Sequence, residues 1–94
     1  MDYTIENTEN LISPSLVFYE EIIDLNIKRA LLDAKDVKRL WPHVKTHKTI
    51  ELVSKLIKNG VTKFKCATIS ECEMVATAGA TDVLLAYPAV GPNL

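Results

Sequence analysis

The stretch WPHVKTHKT, residues 41 to 49, carries the side chains best suited to chemistry. It places Lys45 between His43 and His47, each two residues away. A lysine amine is a poor nucleophile in neutral water, but an environment that excludes water favours the neutral amine, whose lone pair can attack a carbonyl carbon. Imidazoles gain and lose protons near neutral pH. Residue types and spacing therefore allow a Schiff-base lysine beside two acid–base groups.

The segment RLWPHVKT, residues 39 to 46, is predicted to be a strand. Pro42 belongs near its start or a bulge, because proline cannot donate to a sheet ladder. Side chains alternate along a strand, so Lys45 and both histidines are expected on one face and Val44 on the other. If Val44 packs against helices, Lys45 points into the opposite space at the strand's carboxyl end, where α/β barrels carry their chemistry.

Less specific interpretations of these side chains stay open. Lys45 can be a solvated lysine that protects a strand end. His43 can be a hydrogen-bonded core histidine, and His47 an ordinary loop histidine.

Hydrophobic periodicity predicts the other elements. Apolar residues at helical spacing indicate a helix from Glu20 to about Ala34, and a second from about 49 to 59 with Gly60 after its end. A third is expected to begin at the Thr68-x-x-Glu71 capping box and to stop at Gly79. Further strands are predicted over residues 13–19, 61–68 and 81–88.

From Leu40 onward the order is strand, helix, strand, helix, strand, which is typical of βαβ units with a parallel sheet. VLLAY, residues 83 to 87, lacks alternation, as in a strand buried on both faces. Its neighbours are expected beyond Leu94. The predicted fold class is α/β, the opening part of a (β/α)8 barrel with about three parallel strands; a doubly wound sheet is the less favoured alternative. Residues 1–12 are predicted to be an arm and 13–94 the first part of the barrel domain.

The bulk composition excludes several classes of function. The chain has 94 residues with 11 basic and 12 acidic side chains. It therefore lacks the excess of basic residues that is typical of nucleic-acid-binding proteins. No apolar run is long enough for a membrane helix, and the polar start lacks signal-peptide features, so a cytoplasmic location is expected. Cys66 and Cys72 do not form a C-x-x-C pair, and both are expected to be reduced structural thiols.

Three strings, PHVKTHK (42–48), KFKCATISECE (63–73) and DVLLAYPAVGPN (82–93), resemble the D-threonine aldolase and D-serine dehydratase family. These are fold-type III pyridoxal-phosphate enzymes with an alanine racemase-like barrel. The resemblance covers about Ser13 to Asn93 and is limited to the N-terminal part of that family. Trp41 stands where the family usually has arginine.

The resemblance implies that Lys45 holds pyridoxal 5'-phosphate as the Schiff-base lysine, while Lys48 lies after the strand and is exposed. Thr68 and Tyr87 lie at the carboxyl ends of the next two strands and are candidates to line the pocket. Thr68 can instead be only a helix cap, and Tyr87 only packing. The expected cofactor-binding residues are Lys45, His43, His47, Thr68 and Tyr87.

The resemblance further implies a divalent metal whose ligands, like most phosphate contacts, lie outside these 94 residues. The substrate would be a small D-amino acid, and the protein can be a homodimer. The leading function is a D-threonine aldolase, which yields glycine and acetaldehyde. The alternatives are a D-serine dehydratase, which yields pyruvate and ammonia, a non-catalytic pyridoxal-phosphate binder, and an inert truncated product.

Overall fold

A computed structural model describes residues 2 to 93, and its helices lie close to the predicted positions. Helix α1 spans Glu20–Ala34, α2 spans Ile50–Lys58 and α3 spans Ile69–Ala78. Strands β1 and β2 are Lys63–Cys66 and Asp82–Leu85, and three short 3-10 turns cover Thr8–Asn10, Val37–Arg39 and Gly91–Asn93. Between residues 2 and 93, no helix is long and apolar enough to cross a membrane.

The two strands form a parallel sheet with register from Lys63 opposite Asp82 to Cys66 opposite Leu85. On the other side of β1, His43 forms a single parallel bridge with Lys65. The Lys65 N–H donates to Pro42 C=O at 2.9 Å, and the Val44 N–H donates to Lys65 C=O at 3.0 Å. The α/β class is therefore confirmed, but the strand predicted over residues 39–46 is reduced to one bridge beside β1.

The core lies on one face of this sheet. Phe64 and Cys66 point into it from β1 and are fully buried. Val53 of α2 and Val75 of α3 pack against them, and Val44 and Val61 complete the buried cluster. Burying Phe64 and four valines removes apolar surface from water, which stabilises the packing of α2 and α3 on the sheet.

The opposite face of the sheet is not covered by the described residues. The register puts His43, Lys65 and Leu84 in one row across this face, because paired residues in a parallel sheet point the same way. Lys63 lies in the next row with its Nζ 5.4 Å from the centre of the Trp41 ring, a cation–π distance. Lys63 and Lys65 of β1 therefore lie on the open face, half-buried.

Two predicted strands differ from what the described residues show. Residues 13–19 form no strand, and Leu16 and Phe18 are exposed, because no strand among residues 2–93 supplies backbone partners for this segment. The strand predicted at 81–88 is present as β2, and the neighbours expected to bury both of its faces lie beyond the described residues. Leu84 is 48% exposed, since β2 is the edge of the sheet in the described part of the chain.

The ends of α2 and α3 follow the sequence signals. Gly60, two residues after α2, and Gly79, directly after α3, both have positive φ, 92° and 110°. A side chain is disfavoured in this left-handed region, and glycine carries no such penalty. Both predicted helix stops are therefore confirmed.

Replacing Gly79 by alanine should lower the free energy of unfolding by about 1 kcal/mol. An added Cβ would meet no atom within 4 Å, so backbone strain alone produces the loss. Asparagine tolerates left-handed φ better, and Gly79→Asn should lose less stability than Gly79→Ala. Urea unfolding of the two variants measures the difference; equal midpoints for wild type and Gly79→Ala would contradict it.

Candidate functional site at the carboxyl edge of the sheet

Lys45 lies in a turn and not in a strand. The C=O of Val44 accepts hydrogen bonds from the Lys48 N–H at 2.9 Å and the His47 N–H at 3.3 Å, which closes a turn over residues 45–47. Alternation ends at Val44, so the prediction that Lys45 belongs to a strand is wrong for the described chain. Lys45 is exposed at the carboxyl end of the bridged segment.

The two histidines make the same kind of local hydrogen bond. His43 Nδ1 accepts a hydrogen bond from the Lys45 N–H at 3.2 Å. His47 Nδ1 accepts one from the Thr49 N–H at 3.0 Å and lies 3.3 Å from the Thr49 hydroxyl. Each ring thus binds the backbone N–H two residues further on, and each Nδ1 must be unprotonated to do so. The histidines hold the turn that carries Lys45 at both of its ends.

The backbone hydrogen bonding between the bridged segment and β1 stops after Val44, because the donor and the acceptor of the next bond are both engaged elsewhere. By register, the next rung would join the Ala67 N–H to the Val44 C=O. Val44 C=O is taken by the turn, and the Ala67 N–H donates instead to Glu71 Oε1 at 3.2 Å. A side chain of α3 therefore completes the backbone bonding where the sheet ends.

Glu71 is 4% exposed and accepts three hydrogen bonds. Besides Ala67, the Thr68 hydroxyl donates to Oε2 at 2.9 Å and Lys48 Nζ donates to Oε2 at 3.1 Å. The Glu71 N–H in turn donates to Thr68 Oγ1 at 3.1 Å, so the predicted helix cap is confirmed. Burial alone would raise the pKa of Glu71, but these hydrogen bonds and the Lys48 ammonium outweigh it and hold the pKa below its ordinary value.

Sequence reasoning did not find the Lys48–Glu71 pair. Lys48 was expected to be exposed, and 60% of its side chain is, yet its amine is bound. The only sequence signal is the capping-box glutamate, whose spacing explains the bond to Thr68 but not the lysine 23 residues earlier.

Thr68 and Tyr87 lie together, as expected of residues at neighbouring strand ends. They line a cleft of about 370 Å³ whose other walls are apolar: Ala67, Ile69, Leu85, Pro88 and Ala89. Tyr87 is 67% exposed and its ring borders this space. Lys45, His43 and His47 do not line the cleft; they lie at the end of the adjacent segment of the same sheet.

The two cysteines are free thiols in the described chain. Burial, and then the neighbouring Cys72 and Glu71, raise the pKa of Cys66 to about 12. A thiol of this kind is unreactive at neutral pH. Within residues 2–93, no group of three or more histidine, cysteine, aspartate or glutamate side chains is placed to hold a metal ion.

Stability should fall in mild acid because of His47. Burial lowers its pKa from 6.5, and this outweighs the nearby Glu71 carboxylate, which would raise it. The unfolded chain therefore binds the proton at higher pH than the folded chain. His47 contributes fully above about pH 6.5, and its contribution is lost as the pH drops through the folded-state pKa. Unfolding free energies measured by urea titration between about pH 5 and pH 7.5 should show this decline.

The matched control is His47→Asn. Asparagine also accepts a backbone N–H two residues on but does not titrate. The variant should show a smaller decline over the same pH interval, and a decline identical to that of the wild type would contradict the role given to His47.

Comparisons with protein families, with curated proteins and with solved structures find no match to this chain. The chemistry of the site therefore rests on its residues, their geometry and the resemblance carried by residues 42–48.

Proposed function

We propose that this chain is the N-terminal part of a pyridoxal-phosphate-dependent lyase acting on β-hydroxy-D-amino acids, of the D-threonine aldolase type, with Lys45 as the attachment residue. One observation carries the proposal. The lysine of the PHVKTHK string is exposed, in a fixed turn, at the carboxyl edge of a parallel sheet. This is the edge at which enzymes with parallel α/β sheets bind their ligands.

The residues present are compatible with the cofactor's aldehyde. Its attachment needs an accessible amine, and Lys45 is exposed with no salt bridge among residues 2–93. When bound, pyridoxal phosphate supplies an electron sink for charge that develops at the substrate's α-carbon. Lys45 would hold the cofactor, and the His43 ring would fix the backbone of Lys45. Thr68, whose hydroxyl is already bonded to Glu71, would contribute a wall of the cleft, and Tyr87 would border it.

The barrel is part of the same proposal. The open sheet face with Lys63 and Lys65 would become the interior side, and the edge of β2 would pair with a following strand. Further chain would then cover the lysines and exclude water from Lys45, which the described residues leave exposed.

The test is turnover by the longest reading frame that contains these 94 residues, supplied with pyridoxal phosphate and a divalent metal. The proposal predicts that D-threonine is split to glycine and acetaldehyde, while L-threonine is not. Formation of pyruvate and ammonia from D-serine, without cleavage of D-threonine, would identify the protein as a dehydratase and not an aldolase. Cofactor binding with neither activity would indicate a non-catalytic binder.

The 94-residue chain alone should be inactive, because the proposed metal ligands and phosphate contacts are not among its residues. Its open sheet face and strand edge should also favour self-association. Assay of D-threonine cleavage and size-exclusion chromatography test both statements, and turnover by the isolated chain would contradict the first.

A further inference from the structure

A pair of side chains, Lys48 and Glu71, connects the turn of Lys45 to the start of α3. Glu71 accepts the Ala67 N–H at the end of β1 and, through its other oxygen, the Lys48 ammonium at 3.1 Å. The pair stands where the backbone ladder between Val44 and Ala67 has ended. Among the described contacts, this side-chain pair therefore connects the Lys45 turn to the end of β1 where backbone hydrogen bonds no longer do.

Lys48 also has an unusual backbone conformation. Its φ is 53°, in the left-handed region, although it is neither glycine nor asparagine. Such a residue keeps this conformation only when its surroundings over-determine it. Here the Lys48 N–H is bound to Val44 and its Nζ to Glu71, so both ends of the residue are fixed.

The pair also makes the two lysines of the string chemically unequal. Lys48 Nζ donates to the buried Glu71 carboxylate at 3.1 Å, so it would have to leave this bond before it could react with an aldehyde. Lys45, three residues earlier, forms no such bond within residues 2–93. Within residues 2–93, the first lysine is therefore the one whose amine is not already engaged by a carboxylate.

We propose that Lys48 and Glu71 are positioning residues that hold the turn of Lys45 at a fixed place beside α3 and keep the cofactor off Lys48. The part of this statement that concerns the cofactor rests on the proposed function. The part that concerns the turn does not.

The experiment compares wild type with Glu71→Gln, Lys48→Met and Lys48→Arg in the longest reading frame. Glutamine keeps the shape of Glu71 and removes its charge, while arginine keeps the cation and can bind the carboxylate. Amide hydrogen exchange of residues 45–48 is measured without cofactor. Borohydride reduction with pyridoxal phosphate, followed by peptide mass mapping, then gives the share of label on each lysine.

We expect faster amide exchange at His47 and Lys48 in Glu71→Gln and Lys48→Met, and near-wild-type exchange in Lys48→Arg. Labelling of Lys45 should fall about 10- to 100-fold in Lys48→Met, since small displacements of a reacting group have effects of this size. Lys48→Arg should keep the labelling of Lys45 near the wild-type level. This result would show that the cation, and not only the bulk of the side chain, is needed. In Glu71→Gln, label should appear on Lys48.

Unchanged exchange in both Glu71→Gln and Lys48→Met would overturn the proposal. Lys48→Met is the informative variant if Glu71→Gln fails to fold, because the side chain that it replaces is 60% exposed. If the exchange changes as expected but wild-type Lys45 takes no label, the positioning of the turn is supported and the proposed function is the part that fails.

Discussion

Replacing Lys45 by arginine in the longest reading frame should abolish covalent attachment of pyridoxal phosphate and lower D-threonine turnover on the order of 1000-fold or more. Arginine keeps the positive charge, but its guanidinium does not form a Schiff base with an aldehyde. The Lys45 side chain is exposed and makes no salt bridge within residues 2–93, so the change should leave the fold intact. Spectroscopic titration with pyridoxal phosphate and an assay of acetaldehyde release measure the two effects.

The matched control for this substitution is Lys48→Arg. The two lysines are three residues apart in the same string, and both are exposed. Only Lys48 is bound to Glu71, a contact that arginine can keep. Lys48→Arg should retain attachment and most of the turnover. Equal losses in the two variants, or undiminished turnover in Lys45→Arg, would remove Lys45 from the chemistry.

Replacing Phe64 by alanine should lower the free energy of unfolding by about 3 to 5 kcal/mol. Phe64 is the largest fully buried side chain of the described chain and belongs to the core cluster that β1, α2 and α3 contribute to. The loss combines the removed apolar surface with the cavity that rigid neighbours leave behind. Small domains have a total stability of about 5 to 15 kcal/mol, so the variant should be largely unfolded at modest urea concentration. Circular dichroism during urea titration measures the shift.

Leu32→Ala is the control for the core substitution. Leu32 belongs to α1 and is 73% exposed, so its truncation should change stability by no more than about 0.5 kcal/mol. A loss of similar size in both variants would mean that the core does not lie where Phe64 is buried.

The helices could be predicted from the sequence because their signals are local. The apolar spacing after Glu20, the capping box at Thr68 and the glycines at 60 and 79 each act within one or two helical turns. Those elements begin and end within about two residues of the predicted positions.

The strands were less predictable because a strand depends on its partner. Residues 13–19 have strand-like composition, but no partner for them lies among residues 2–93, so they form none. The bridged segment ends at Val44 because the N–H groups of His47 and Lys48 take the Val44 carbonyl. No periodicity in the sequence predicts that the turn and the sheet compete for the Val44 carbonyl.

The candidate site was predicted in its parts but not in its arrangement. The string around Lys45 indicated an edge position, and Thr68 and Tyr87 do border one cleft. Alternation predicted Lys45 and His47 on one strand face with His43, but a turn at residues 45–47 stands where that strand was expected. The bond between Lys48 and Glu71 joins residues 23 positions apart and depends on packing that a pattern search does not contain.

The most direct test of the central claim is chemical trapping at Lys45. The longest reading frame is incubated with pyridoxal phosphate, reduced with borohydride and digested, and the modified peptide is identified by mass. The account predicts one dominant pyridoxyl group, on Lys45 of the PHVKTHK string. A folded protein that takes no label, or takes it mainly on other exposed lysines, would contradict it, and Lys45 would then be a solvated lysine beside a strand end.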